Sequence, residues 1–253
     1  MKVELISKTL GLGEYADADI EQLMIAQARV SSSRENPFED HAKLLRYCLQ
    51  EGHWSVFEMA SLTFRIETTR AIGRELLRHR SFTFQELSQR YAVTQEVEYT
   101  AMRKQARTNR QSSEALQASE GRYADDIAQG SIDDSVKAYK TLLGMGVARE
   151  TARFVLPEAT TTILYMKGDV RSWITFLNVR LHKTAQAEMR EIANAIGERL
   201  ALELPVTFAA LNHFRGAEEF HILDQLSVVK QWGALGEIGA LWGLEKIPEK
   251  KVL

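Results

Sequence analysis

The sequence predicts an α+β protein, a single domain in which a small sheet is covered by helices. Three observations point there. Ala60, Leu62, Phe64 and Ile66 alternate with Ser61, Thr63, Arg65 and Glu67, the two-residue period of a half-buried strand. Thr160 to Met166 is β-branched and aromatic, which suits a second strand. Around these two segments apolar residues recur at helical spacing.

In chain order, residues 2–7 read as a short strand, and Ile20 to Val30 as a helix with Ile20, Leu23, Met24 and Ala28 on one face. Asn36-Pro37 suits a helix start, and His41 to Leu49 continues it with Leu44, Leu45 and Cys48 aligned, until Gly52 ends it. The strand at 60–67 follows, then a helix from Arg70 to Arg78 with Ile72, Leu76 and Leu77 inward. Residues 103–135 are rich in Gln, Ser, Asn, Asp and Arg and poor in large apolar groups, so a solvated, mobile surface excursion is expected. Helix returns from Val136 to Leu156, broken at Gly144 and Gly146 and closed by Pro157. After the 160–166 strand come helices over Arg171–Leu181 and Ala185–Leu204. The second carries Met189, Ile192, Ala193, Ile196, Leu200 and Leu204 on one face. No linker divides the 253 residues, and the tail from Glu219 on mixes Leu, Val, Trp and Gly as a docked segment would.

Composition narrows the class. At 45% hydrophobic and 26% charged the chain reads as a soluble globular protein with room for a sizeable core. A net charge of -2 argues against a general nucleic-acid binder. Cys48 is the one cysteine, which rules out an intrachain disulfide and fits a reducing cytosol. No apolar run has the length of a membrane span, and the acid in Met1–Ile6 does not suit a signal peptide. The six histidines show no metal-ligand spacing. Neither G-x-G-x-x-G nor a Walker A loop is present to cradle phosphate.

The most informative stretch is Arg78-His79-Arg80-Ser81-Phe82-Thr83-Phe84-Gln85-Glu86-Leu87-Ser88-Gln89-Arg90-Tyr91. Three arginines, a histidine, a glutamate and two serines in fourteen residues call for an anionic partner, because like charges repel. Arginine forks grip phosphate in bidentate fashion. Arg70, Arg74 and Arg78 also fall at i, i+4, i+8 on one helical face, a pattern that a solvated surface stripe equally explains.

Arg-His-Arg, seven residues, then Ser88 and Arg90-Tyr91 resembles the signature of the flavin-dependent thymidylate synthases. His53-Trp54-Ser55-Val56-Phe57-Glu58 is similar to that family's His-x-Ser/Thr-x-Phe-Glu element, and Ala28-Arg29-Val30-Ser31 to its N-terminal helix end. Ala152-Arg153-Phe154-Val155-Leu156-Pro157 resembles its Ala-Arg-x-x-Leu-Pro segment. Arg171 to Arg180, followed by Ala185-Gln186-Ala187-Glu188, resembles its helix pair. Asn109-Arg110-Gln111 resembles a loop of part of the family. The matches run in order over about residues 1–215, leaving 216–253 as a C-terminal extension.

The resemblance implies the family's fold, with a small mixed or antiparallel sheet. It implies a cytoplasmic homotetramer whose active sites are shared between subunits. It also implies reductive methylation of dUMP to dTMP with FAD, using NADPH and 5,10-methylenetetrahydrofolate as co-substrates and no enzyme nucleophile. By the same resemblance Ser55, Glu58, Arg78, His79, Arg80, Glu86, Arg171 and Thr175 would hold FAD. Glu75, Arg78, Glu86, Leu87, Ser88, Gln89, Arg90, Arg153 and Arg180 would bind the nucleotide. Arg180 would polarise the pyrimidine as the catalytic residue, and His53 would lie near the folate. The chain departs from the family at Glu75, where Gln is usual, so that Arg74 or Arg78 is expected to neutralise the acid. It departs also at Asp169 and Thr175, where Asn is frequent, and at Thr184, where His is. A protein that stores flavin or nucleotide without turnover is the rival reading, and only an assay of turnover separates the two. Cys48, on an apolar helical face, is expected to be inert.

Overall fold

Six strands lie among the described residues of this computed structural model, which are 1–213 apart from Arg34 and Gln95. They are Lys2–Lys8 (β1), Ser61–Thr69 (β2), Thr83–Glu86 (β3), Arg103–Gln105 (β4), Ser113–Ala115 (β5) and Thr161–Asp169 (β6). The larger sheet runs β1-β2-β6-β3, and β4 pairs with β5. β3 and β6 are antiparallel, with Phe84 opposite Met166 and Glu86 opposite Leu164. Along β2 the expected alternation holds: Leu62, Phe64 and Ile66 are fully buried while Ser61, Thr63, Arg65 and Glu67 are not. β3 escaped the sequence reading, because four residues of mixed polarity carry too little period to register. The expected tail beyond residue 215 lies outside the described residues.

Eight α-helices accompany the strands among the described residues: Ile20–Ala28 (α1), His41–Gln50 (α2), Arg70–Leu76 (α3), Ala118–Gly144 (α4), Arg149–Ala152 (α5), Val170–Arg180 (α6), Ala187–Glu203 (α7) and Pro205–His213 (α8). Asp19 and Gln22 form a capping box on α1, satisfying two N-terminal backbone groups. Ile20, Leu23, Met24 and Ile25 are buried, whereas Ala28, expected inward, is exposed at the frayed end. α2 begins at His41, not at Pro37. Asn36 instead accepts from the Phe38 amide in a turn. Gly52, at φ +72°, ends the α2 segment as expected, and the His53 amide donates back to the Cys48 carbonyl at 2.8 Å. The face expected inward on α7 is buried throughout, and Pro205 starts a further helix where the sequence reading stopped.

The expected surface excursion at 103–135 is a β4–β5 hairpin followed by a 27-residue helix. Only Val136 and Tyr139 of α4 are buried. Polarity signalled solvation correctly, but solvation is not disorder. The segment contains no proline to interrupt a helix, and α4 is long enough for its backbone hydrogen bonds to offset the cost of nucleation. Met102 donates its amide to Asp125 at 2.7 Å, and Tyr99 donates its hydroxyl to Asp133, tying α4 to the preceding loop. Asn109 and Gln111 form the hairpin turn.

Two compact units can be described, each built from separated stretches of chain. The first is Met1–Ile6, Thr63–Lys167 and Lys183–Ile192; the second is Ser7–Leu62, Gly168–His182 and the described residues from Ala193 on. In the first unit the hairpin is pinned by Arg103, whose guanidinium grips Glu188 with bonds of 2.6 and 2.9 Å. In the second, α2 packs on α1 and α8, and α6 packs on the single-turn helix Trp54–Glu58. Trp173 of α6 is fully buried and donates its indole N–H to the Leu62 carbonyl at 3.3 Å.

Candidate active site

The first unit carries the Arg-His-Arg motif. Thr69 caps α3 by accepting from the Ile72 amide, and Ile72, Gly73 and Leu76 face the core. That orientation turns Arg74 and Arg78 to solvent. The helix ends in a turn in which the His79 amide donates to Leu76 and the Phe82 amide to His79. The His79 ring meets Phe82 edge-on at 6.2 Å. Arg78 and Arg80 are exposed, and neither side chain bonds a described residue. Arg74 pairs with Glu158 at 2.5 Å, so the expected neutralisation of Glu75 by Arg74 gives way to a different partner.

Glu86 ends β3. Its Oε1 forms an ion pair with Arg70 at 2.9 Å and accepts from the Thr162 hydroxyl at 2.9 Å. Leu87 extends the pairing, its amide donating to the Ile163 carbonyl at 2.9 Å. Ser88 then starts a turn: its Oγ accepts from the Arg90 amide, and its carbonyl accepts from the Tyr91 and Ala92 amides. Gln89 donates to the Thr94 hydroxyl at 3.2 Å. Arg90 faces Glu150 at 3.5 Å, with both side chains more than half exposed. A pair so exposed is weak, and a stronger anion can displace it. Arg153 bonds the Glu150 carbonyl through Nε. A cleft of about 630 Å³ lies between Arg90, Tyr91 and the α4–α5 connection around Gly146 and Arg149.

The second unit carries the remaining candidates. Val56 and Phe57 of the Trp54–Glu58 turn are buried, so Ser55 and Glu58 project outward. Asp169 caps α6 by accepting from the Ser172 amide at 2.6 Å, and Trp173, Ile174, Phe176 and Leu177 anchor the helix. The opposite face presents Arg171 and Thr175. Arg171 forms an ion pair with Glu58, and the Thr175 hydroxyl donates to the Arg171 carbonyl. Three of the expected flavin residues thus meet. Arg180 closes the helix, half-buried. His53 is exposed, its ring edge-on to Tyr47 at 5.6 Å, on a second cleft of about 630 Å³ that Ser55 also lines. Cys48 lies behind this cleft, 4% exposed, and burial pushes its thiol pKa up, away from the reactive thiolate.

In the sequence Arg70 is only one member of an arginine stripe. Its position as the first residue of α3 turns it inward, toward Glu86 and the Leu87 carbonyl. Thr162 was equally invisible, because β-branched residues are common in any strand.

The chain is similar to known proteins over most of its length. Residues 12–206 match the family model described as thymidylate synthase complementing protein. A flavin-dependent thymidylate synthase of Synechocystis is 44% identical over 193 residues, 76% of this chain and 89% of that one. A probable flavin-dependent thymidylate synthase of Paramecium bursaria Chlorella virus 1 is 37% identical over 216 residues, 84% and 99% of the two chains. The crystal structure of a UMP/dUMP methylase from Streptomyces cacaoi bound with 5-Br dUMP superposes with a TM-score of 0.70 at 26% identity, covering 84% and 94% of the chains. With a mixed helix-and-sheet fold, a complete Arg-His-Arg to Ser88 segment and these relatives, the chain belongs to the thymidylate synthase complementing protein family.

Proposed function

We propose that this chain is a flavin-dependent thymidylate synthase that converts dUMP to dTMP, acting as a single catalytic domain. The observation that carries the reading is the exposed Arg78 and Arg80 pair. Nearby cations are committed to Glu86, Glu158 or Glu150, yet these two guanidinium groups stay open in the middle of the family's signature. Their charge suits the phosphates of a dinucleotide such as FAD; separately, in the second unit, the outward hydroxyls of Ser55 and Thr175 and the Glu58–Arg171 pair offer hydrogen bonds to a ligand of that kind. When bound, FAD would supply the hydride, received first from NADPH.

The side chains divide the remaining work. Arg78, His79, Arg80, Glu86 and Arg171 hold the flavin, with Ser55, Glu58 and Thr175. Ser88, Arg90 and Arg153 take the nucleotide, chiefly its phosphate, with Glu75, Leu87 and Gln89 beside them. Glu86 keeps Oε2 clear for a ligand while Oε1 is fastened to the protein. Arg180 faces pyrimidine O4 and N3, and stabilises the charge that develops on the ring as hydride reaches C6. His53 flanks 5,10-methylenetetrahydrofolate, the one-carbon donor. No thiol is required, which accords with the buried Cys48. The assembly is a cytoplasmic homotetramer with shared sites.

Anaerobic reduction of the purified yellow protein by NADPH, with and without dUMP, followed by a dTMP assay with 5,10-methylenetetrahydrofolate, tests this reading. Arg78→Ala and His79→Ala are expected to lose the flavin absorbance. Stoichiometric FAD in both variants at wild-type affinity, or no dTMP from the wild-type protein, refutes it.

A further inference from the structure

Arg70 is the least exposed of the arginines at the motif, its side chain 17% accessible. One guanidinium nitrogen donates to the Leu87 carbonyl at 2.6 Å and the other contacts Glu86 Oε1 at 2.9 Å. A single side chain on α3 therefore holds two consecutive residues at the point where β3 turns into the Ser88–Arg90 segment. The third donor, Nε, is buried with no partner. A burial so poorly satisfied is costly, so Arg70 is not placed there for stability alone. Glu86 is fastened from the other side by the Thr162 hydroxyl. Gly73 leaves the room: a Cβ there would stand 3.4 Å from Glu86 Oε1 and 3.3 Å from Thr162.

Building on the reading of Ser88 and Arg90 as nucleotide ligands, we infer that Arg70 is a positioning residue that locks the Glu86–Arg90 segment in its dUMP-binding conformation. Arg70 touches no substrate itself. Its planar fork reaches a carboxylate and a carbonyl together, which a lysine cannot do. Losing it frees the Leu87 carbonyl and leaves the half-buried Glu86 without its counter-charge. Ser88, Gln89 and Arg90 then sample several placements, and binding falls by the fraction of time the competent one is absent.

The test uses full-length FAD-loaded protein and compares wild type with Arg70→Met, Arg70→Lys and Thr162→Val. Expected for Arg70→Met is a KM for dUMP raised at least tenfold, with FAD content and kcat at saturating dUMP within about threefold of wild type. Arg70→Lys should recover part of the loss, and Thr162→Val should show a smaller rise of the same kind. Amide exchange in ligand-free Arg70→Met should quicken at 87–92 and stay unchanged across α6. A KM within threefold of wild type in both Arg70 variants, or a KM change matched by equal loss of FAD and kcat, overturns the inference. If Arg70→Met does not fold, Arg70→Lys and Thr162→Val decide by the same criterion. If the wild-type protein makes no dTMP, the functional reading falls, and the exchange experiment still decides whether Arg70 locks the segment.

Discussion

Glu21 is a carboxyl group sealed inside the fold, 2% exposed, accepting from the Val206 amide at 3.0 Å and from the Thr207 amide and hydroxyl at 2.7 and 2.6 Å. Those donors sit at the start of α8, where an anion is favoured. Burial opposes them and prevails, pushing the carboxyl up from 4.5 to about 7. The folded chain therefore keeps a proton between those values that the unfolded chain has lost. The Glu21 contribution is complete below pH 4.5 and fades as pH rises through 7, by on the order of 3 kcal/mol. Urea denaturation from pH 4.5 to 8 should show the wild-type stability declining relative to Glu21→Gln, whose side chain does not titrate; parallel curves would refute this. The role proposed for Arg180 is chemical instead. Arg180→Ala should keep FAD and lose on the order of 10²–10³ in hydride transfer, the usual cost of removing one preorganised donor at a developing anion. Single-turnover transfer from pre-reduced protein at saturating dUMP measures it. A rate within a few-fold of wild type would make Arg180 structural.

Among the elements, the β4–β5 hairpin depends on one ion pair. Burial alone would raise the Glu188 carboxyl, but Arg103 and Gln186 bond it and hold it below the usual carboxylate range. The pair thus contributes stability above pH 4.5, and that stability is lost as pH falls through the lowered native value. Arg103→Ala should cost about 1.5–3 kcal/mol at pH 7, seen as a lower urea midpoint at unchanged slope, and clearly less in acid, where Glu188 is protonated in both proteins. A deficit independent of pH would assign the effect to lost packing. The sequence marked neither the hairpin nor the part of α4 before Val136, where the expected helix begins. Three-residue strands offer no period to count, and a helix that buries only Val136 and Tyr139 shows almost no apolar stripe. By contrast α6 and α7, with many buried residues, were legible nearly to their ends.

At the scale of the whole molecule, Phe154 and Tyr91 stand 81% and 79% exposed in the single chain. Large rings at these positions, within the segments proposed to bind the nucleotide, are expected to be covered on assembly. Sedimentation equilibrium should give a mass four times that of the chain, and a monomer at micromolar concentration would rule out shared sites. The amino-acid sequence alone determined the alternating strand at 60–66, the buried stripe of α7, the place of Cys48 on an apolar, buried face and the order of the motifs. Each is written in neighbouring residues, where the backbone's own periods decide which side chains share a face. Only the tertiary structure decided that Arg70 turns inward to Glu86 and Leu87, that Arg74 takes Glu158 and leaves Glu75, that Arg103 meets Glu188 85 positions away, and that Glu21 caps a helix 186 positions on. A charge's partner depends on which distant element covers it, and its pKa depends on how much water that element excludes. Neither quantity has a local period in the chain.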